Sequence, residues 1–322
     1  MTRATDPASV AFLITAAIIA CCGDAIAQTY PSRPIRLLIG YGAGGAADIV
    51  ARVMAPRLSE KLGQQIVVDN RPGAGSIIAT ELLARSNADG YTLMLANVSF
   101  GANPALHSRL AYNALRDFEP VGLVTVMPNV LVVHPSVTAK SPAEFIALAR
   151  SKPGQLNHAH AGIGSAGYLI AETLQYDAGI RVVHISYQSG AQAVGAVLAG
   201  EAHFIFVTVP TTLSYLKSGR IRVLAVTSAK RSAALPDTPT LAESVVPGFV
   251  VNEWHGVLTP RGTPKQIVQR LNSEVNSVLA IPEVGERLAS LGAEPSAGTP
   301  QQMAEFVKAE NDRWKKVLKP VD

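Results

Sequence analysis

Thiol chemistry is almost missing from this chain. Its 322 residues include 2 cysteines, Cys21 and Cys22, both near the start. Charge is sparse too: 16% of residues are charged against 48% hydrophobic. That balance provides for a well-filled core and argues against intrinsic disorder. There is no low-complexity block. Aromatics make up 6%, and the densest basic spot is only Lys315-Lys316. With no basic stripe carrying interleaved aromatics, nucleic-acid binding is disfavoured. No run after residue 27 is long and apolar enough to span a bilayer. Neither a Gly-x-Ser-x-Gly elbow nor a His-Glu-x-x-His pair occurs. His158 and His160 alternate onto one face of a strand, but no Asp, Glu or Cys stands near enough in sequence to complete a metal set. The other histidines show no ligand spacing. No catalytic residue, metal or cofactor is therefore assigned, and the chain reads as a non-enzyme.

What is present begins with an export signal. Arg3 supplies a basic start, Val10 to Ala20 an apolar stretch, and Ala25-Ile26-Ala27 a cleavage site before Gln28. Cleavage there removes one basic and two acidic residues, so the formal charge rises from +4 to +5. Both cysteines leave with it, and with them any disulfide. Ile18-Ile19-Ala20-Cys21 loosely fits a lipoprotein signal, which would instead leave a lipid anchor on Cys21. Either way the expected location is the periplasm.

The stretch Arg33 to Asp48 organises the rest of the chain. The apolar run Ile35 to Ile39 ends in Gly40-Tyr-Gly-Ala-Gly-Gly45, and a helical pattern begins at Ala46. A strand, a tight turn and a helix N-terminus expose unpaired N–H groups and the positive end of the helix dipole, which is an anion site. Two tenants fit. Gly40-x-Gly42-x-x-Gly45, with Asp69 closing the next strand, matches the dinucleotide fingerprint. A small carboxylate fits the same turn. The export signal weighs against the dinucleotide, whose cofactors work mainly in the cytoplasm. No Gly-Lys-Ser/Thr follows, so the turn is not an NTPase phosphate loop.

Further along, Gln64–Asp69 and Tyr91–Ala96 read as strands and Ile77–Arg85 as a helix. This βαβαβ rhythm predicts a parallel sheet, with ligands beyond its C-terminal strand ends. Asn97 to Asn103 reads as a polar loop at that end. Glu119 to Pro135 is too long for one ordinary strand and predicts a crossing between domains. Asn157-His-Ala-His160, then Ala161-Gly-Ile-Gly-Ser165 and a helix, form a second strand–turn–helix. Strands at Val182–Ile185, Phe204–Val207 and Ile221–Val226 alternate with helices at Ala191–Ala199 and Thr212–Ser218. Phe249 to Leu258 predicts a second crossing, and three amphipathic helices close the chain. Two crossings imply a discontinuous first domain, 28–124 plus 254–322, and a continuous second, 125–253, hinged about a cleft.

A family resemblance covers nearly the whole mature chain. Its motifs run Tyr41-x-x-Gly44-Gly45-x-x-Asp48, Val68-Asp-Asn-Arg-Pro-Gly-Ala-Gly75, Ala88-Asp-Gly-Tyr-Thr-Leu93, Asn103-Pro104 and Asp117-Phe-Glu-Pro-Val121. They continue through Pro153-Gly-Gln-Leu156, Gly162-x-Gly-Ser165, Leu224-Ala-Val-Thr227, Leu235-Pro-Asp-Thr-Pro-Thr240, Trp254-x-Gly256 and Arg261-Gly-Thr-Pro264. In order, they resemble the solute-binding receptors of tripartite tricarboxylate transporters, the Bug-type family.

The resemblance implies an α/β, type II periplasmic-binding-protein fold: two α/β domains joined by two crossing strands with a ligand cleft between. It implies a monomer that binds a small organic acid and presents it to membrane transporter subunits. It also implies that the two glycine turns face each other and hold carboxylates by backbone N–H groups and waters. On that basis the ligand-binding set is Tyr41, Ala43, Gly44, Gly45, Ala46, Asp48, Asn97, Ser99, Gly164, Ser165, Tyr168, Tyr187 and Thr208. The chain departs from the family at Ala43 (usually Pro), at Tyr168 (often His), and at Ala196 and Val207 (often Asp). Without a carboxylate at 207 the pocket suits a non-amino acid. A ligand-dependent sensor partner, or an exported dinucleotide oxidoreductase, are the competing readings.

Overall fold

The structure, a computed structural model, describes residues 30–216, 219–232 and 234–321. The export signal and its alternative cleavage site at Cys21 lie outside the described residues. Arg33–Asp322 forms one compact unit.

In chain order the first half comprises β1 (Ile35–Ile39), α1 (Ala46–Leu62), β2 (Ile66–Asn70), α2 (Ile77–Ala84), β3 (Thr92–Asn97), α3 (Val98–Leu106), β4 (Phe118–Met127), β5 (Asn129–Val133) and α4 (Pro142–Ser151). Next come β6 (Asn157–His160), α5 (Ala166–Ala178), β7 (Val183–Ser186), α6 (Gly190–Ala199), β8 (Phe204–Thr208), α7 (Val209–Leu216), β9 (Arg222–Val226) and α8 (Leu241–Ser244). The chain ends with β10 (Glu253–Pro260), α9 (Lys265–Leu279), α10 (Pro282–Ser290), β11 (Glu294–Pro295) and α11 (Pro300–Val317).

Two sheets result, ordered β11-β4-β10-β3-β1-β2 and β7-β6-β8-β5-β9. Residues Ile35, Leu37, Leu38 and Ile39 of β1 are all buried, because helices cover both faces of this strand and leave no polar side. One apolar core runs from Leu38 and Met94 in the first sheet to Phe145, Phe204 and Leu224 around the second. Each such side chain contributes about 1.5–3 kcal/mol on burial. A smaller cluster, including Val130, Ala159, Ala196 and Ile205, fills the outer layer of the second sheet.

The first sheet is mixed, which corrects the expected all-parallel arrangement. β1 pairs parallel with β2 and β3, but β10 runs antiparallel to both β3 and β4. The reason is the crossing. β4 leaves the sheet toward the second one and β10 returns from it, so the two must run oppositely. They pair from Met127↔Glu253 to Phe118↔Pro260. Beyond that pair the two connections are bonded to each other: Thr227 N–H donates to Asn129 O at 2.9 Å, and Val251 N–H donates to Thr227 O at 3.2 Å. The expected crossing from 119 to 135 is thus two strands, β4 and β5, separated by Pro128, which has no N–H to carry a ladder onward.

A second correction concerns Asn97–Asn103. It is not a polar loop. Asn97 is the last residue of β3, and α3 starts at Val98 without a connecting loop. Its Val98, Phe100, Ala102 and Leu106 enter the core, so tertiary packing overrides the weak helical propensity of Ser, Asn and Gly. The short α8 and β11 have no counterpart in the sequence pattern. The expected helix end near Ser218 falls outside the described residues.

Candidate functional site

The two glycine turns share one hydrogen-bonding pattern. Gly44 and Gly164 both have φ of +81°, a conformation that costs other residues a Cβ clash. Gly45 N–H donates to Gly42 O at 3.3 Å, and Ser165 N–H to Gly162 O at 3.1 Å. The first intrahelical bonds are identical, Ile49 to Gly45 and Leu169 to Ser165, each at 3.0 Å. Both N-cap residues are extended and neither makes a side-chain cap. Each turn therefore leaves the first N–H groups of α1 or α5 at an open, positive helix end.

They differ at the acceptor glycine, since Gly162 has φ of +102° and Gly42 no positive φ, and more consequentially in the first turn of each helix. In the first turn Gly44 N–H donates to Asp48 Oδ2 at 2.8 Å, and Arg52 Nε reaches both carboxylate oxygens at 3.0 Å. Burial alone would raise the Asp48 carboxyl. The bonds from Arg52, Gly44 and Asn70 outweigh it and hold the group below its ordinary value. In the second turn the equivalent of Asp48 is Tyr168, which is buried and packs its ring 5.1 Å from His160 and 4.9 Å from His184. The first turn carries its own anion; the second does not.

The turns meet through Ser99. Its hydroxyl donates to Gly164 O at 2.7 Å, so Tyr41 O–H, at 2.6 Å, must be the donor to Ser99 Oγ. Burial pushes the Tyr41 hydroxyl up to about 12 and keeps it a neutral donor. A third glycine loop joins them: a side chain at Gly75 would lie 3.3 Å from Ile163 O and 3.6 Å from Asn103 Oδ1. Asn103 donates to Gly75 O at 2.9 Å. Asn103 Oδ1 and Ser165 Oγ are buried here without hydrogen-bond partners among the described residues.

Behind Tyr41, Asn97 Nδ2 donates to Glu253 Oε1 at 3.0 Å. Behind the second turn lies a histidine cluster. Gly162 N–H donates to His160 Nδ1 at 3.1 Å, His158 and His184 share a proton between their Nδ1 atoms at 3.1 Å, and Glu172 lies 2.7 Å from His184 Nε2. Burial pulls His160 down to about 4 and His158 well below its usual range. Among the described residues, no group of three or more His, Cys, Asp or Glu is placed to hold a metal. Asp69, the acidic residue of the dinucleotide fingerprint, is held between Arg36 and Arg71.

The family model for the tripartite tricarboxylate transporter family receptor matches residues 50–322. The chain belongs to that receptor family. Protein BugT of Bordetella pertussis is 37% identical over 310 residues, covering 96% of this chain and 94% of BugT. R. palustris Rpa4515, solved with adipate, has a TM-score of 0.83 at 36% identity, covering 91% of this chain and 100% of that one. MatC from Rhodopseudomonas palustris, solved with malate, has a TM-score of 0.81 at 32% identity, covering 89% and 99%. The fold is accordingly α/β, of the kind seen in the periplasmic binding protein BugD.

Within this receptor the structure gathers Tyr41, Ala43, Gly44, Gly45, Ala46, Asp48, Asn97, Ser99, Gly164 and Ser165 around the paired turns. Tyr187 and Thr208 sit on either side of β6 in the second sheet: Tyr187, just after β7, donates its N–H to His160 O, and Thr208 ends β8. Tyr168 is embedded in the histidine cluster. Glu253, His255 and Asn103 were missed by sequence reasoning. The signal for the first two was available: an acid and a histidine two apart in the apolar strand β10 share one face.

Proposed function

We propose that the chain is an extracytoplasmic receptor that binds a small organic dicarboxylate between its two glycine turns and delivers it to a tripartite tricarboxylate-type membrane transporter. The observation that carries this reading is the matched pair of turns, two helix N-termini joined through Ser99. Family membership and the adipate- and malate-bound relatives support the ligand class. In this reading 28–124 plus 254–322 and 125–253 act as two domains that close about Pro128 and Asn252, and the residues gathered at the turns contact the ligand. The receptor works in the periplasm; among the described residues no helix is long and apolar enough to cross a membrane.

Each helix end contributes about 0.3–1 kcal/mol toward an anion, while micromolar binding needs about −8 kcal/mol. Direct and water-bridged bonds to turn N–H groups make up the rest. Because Asp48 already occupies Gly44 N–H, the second turn takes the larger share of ligand charge. Val207 and Thr208 put no carboxylate at that strand end, which favours acids lacking an amino group.

A thermal-shift screen over adipate, malate, aspartate and NADH tests the binding claim, since a ligand at a hundred times its Kd stabilises by about 2.7 kcal/mol. A shift with a dicarboxylate and none with NADH is expected. A shift with NADH alone would overturn the reading. Uptake measured after deletion of the partner membrane subunits tests delivery.

A further inference from the structure

A buried acid stands at the point where the two crossing connections meet, and the proposed binding reaction does not use it. Glu253 is the first residue of β10 and pairs with Met127, the last residue of β4. It is 7% exposed. Among the described residues one hydrogen bond reaches its carboxyl, from Asn97 Nδ2 at 3.0 Å. On the same strand face His255 is fully buried; its Nε2 lies 3.6 Å from Glu253 Oε1 and has no hydrogen-bond partner among the described residues. His255 Nδ1 meets Thr125 Oγ1 of β4 at 3.0 Å.

The groups facing this acid can be named. From the first turn comes Tyr41, which Glu253 influences electrostatically. From β3 comes Asn97, from β4 Thr125 by way of His255, and from β10 His255 itself. The opposite face of β10 carries Trp254, whose Nε1 donates to Glu310 Oε2 of α11 at 3.1 Å. Among the described residues no lysine or arginine is paired with Glu253. A charged carboxylate here would stand in low dielectric with one donor and no cation, which is costly. The neutral acid is far easier to bury. Placed beside Tyr41, it also stands behind a site meant for anions.

We infer that closure on a carboxylate ligand takes up one proton, and that Glu253 holds it. The inference rests on the carboxylate-receptor reading. It requires that parting of the two connections returns the Glu253 carboxyl, 7% exposed here, to water, where an acid keeps its ordinary carboxylate value. In the closed form burial, opposed by the Asn97 bond, raises the Glu253 carboxyl to about 7. The ligand's own charge acts in the same direction. An acid whose value is higher in the closed state binds its proton there between the two values. Closure is then favoured at low pH and weakens as pH rises toward the upper value. Affinity falls by about tenfold per pH unit across that window and is level above it. The atoms balance simply: one solvent proton joins a Glu253 carboxylate oxygen, and no bond in the ligand changes.

Titration calorimetry with adipate or malate, in two buffers of different ionisation enthalpy, counts the protons. The wild type is expected to take up close to one proton per ligand near pH 6. The Glu253→Gln variant should take up none and show an affinity independent of pH. The Glu310→Gln variant removes a buried carboxyl on the other face of the strand and should keep the wild-type proton count. No uptake by the wild type, or the same uptake in Glu253→Gln, would overturn the inference while leaving carboxylate binding intact. A ligand-free arm keeps the test independent of ligand choice. Small-angle scattering should give a smaller radius of gyration at pH 5.5 than at pH 8.5 for the wild type, with no difference for Glu253→Gln. A change preserved in Glu253→Gln, or none in the wild type, would also overturn it. Failure of every acid to bind at any pH would instead count against the receptor reading.

Discussion

Ser99 Oγ donates to Gly164 O at 2.7 Å, a hydrogen bond that links the first strand–turn–helix unit to the second. Ser99 stands in α3, which leaves β3 of the first sheet; Gly164 stands in the turn after β6 of the second. The bond exists only while the two turns face each other. It also orients Tyr41, which is left to donate to Ser99 Oγ. In the proposed reading Ser99 would act as a latch as well as a ligand neighbour.

Ser99→Ala should weaken the closed form without unfolding the chain. A lost neutral hydrogen bond costs about 0.5–1.5 kcal/mol, and the stranded Gly164 carbonyl and Tyr41 hydroxyl add to that unless water reaches them. Carboxylate affinity by calorimetry is expected to fall by about three- to thirtyfold, mostly through faster release. An unchanged Kd would remove the latch from the account.

The glycines of the first turn should separate cleanly. Gly44→Ala forces a Cβ into a left-handed conformation at φ +81°, at about 1–2 kcal/mol. Gly42→Ala meets nothing within 4 Å and has no such φ, so it should be near neutral. Gly45→Val places a branched side chain where even a Cβ lies 3.3 Å from Gly42 O and should distort the turn itself. Denaturation midpoints and ligand affinities of the three variants, measured together, check the order. A Gly42→Ala effect as large as that of Gly44→Ala would show that backbone conformation is not what these glycines supply.

Much of this was legible in the sequence. The strand–glycine–helix units announce themselves locally, because an apolar run, a turn that needs positive φ and a 3.6-residue period are each written in consecutive residues. The receptor motifs were enough to set the two turns facing each other, as the Ser99–Gly164 bond has them. What stayed hidden was non-local. Nothing near Ser99 says that its hydroxyl meets Gly164, and nothing near Asp48 says that its counterpart in the second turn is Tyr168 packed on two imidazoles. The antiparallel β10 was hidden for the same reason, since its direction depends on where the returning connection re-enters the first sheet. His184 joins His158 and His160 only through the parallel pairing of β6 with β7.

Asp48→Asn should move stability and binding in opposite directions. Asp48 is buried and held below its ordinary value. Such a carboxylate contributes stability that is present above the unfolded-chain value, about 3.9, and is lost as pH falls through the folded value. Asparagine keeps an acceptor for Gly44 N–H but forfeits the charge-assisted bonds from Arg52, which solvent weakens because Arg52 is exposed. The variant should be less stable than the wild type at neutral pH, and the gap should close in acid. With the competing negative charge gone from the first turn, a dicarboxylate should bind severalfold more tightly. Weaker binding would mean that Asp48 orders the turn more than it repels the ligand.

The buried histidines predict how the receptor fails in acid. Burial pulls His160 and His255 each down to about 4, and His158 lower than its ordinary value. In the unfolded chain each takes a proton near 6.5. For a histidine whose folded value is depressed, the stabilising contribution is complete above 6.5 and drains away as pH falls toward 4. Glu253, raised to about 7, works the other way: between the ordinary carboxylate value and 7 the folded protein holds its proton more tightly, so stability gains as pH falls. Three histidines outweigh one acid, and unfolding free energy should drop between pH 6.5 and about 4. Each uncompensated histidine accounts for about 1.4 kcal/mol per pH unit. His255→Gln removes one of them while keeping a side chain that can meet Thr125. Urea midpoints measured across that window should fall less steeply for the variant, by about one proton. Equal slopes would show that His255 is already open to solvent before the chain unfolds.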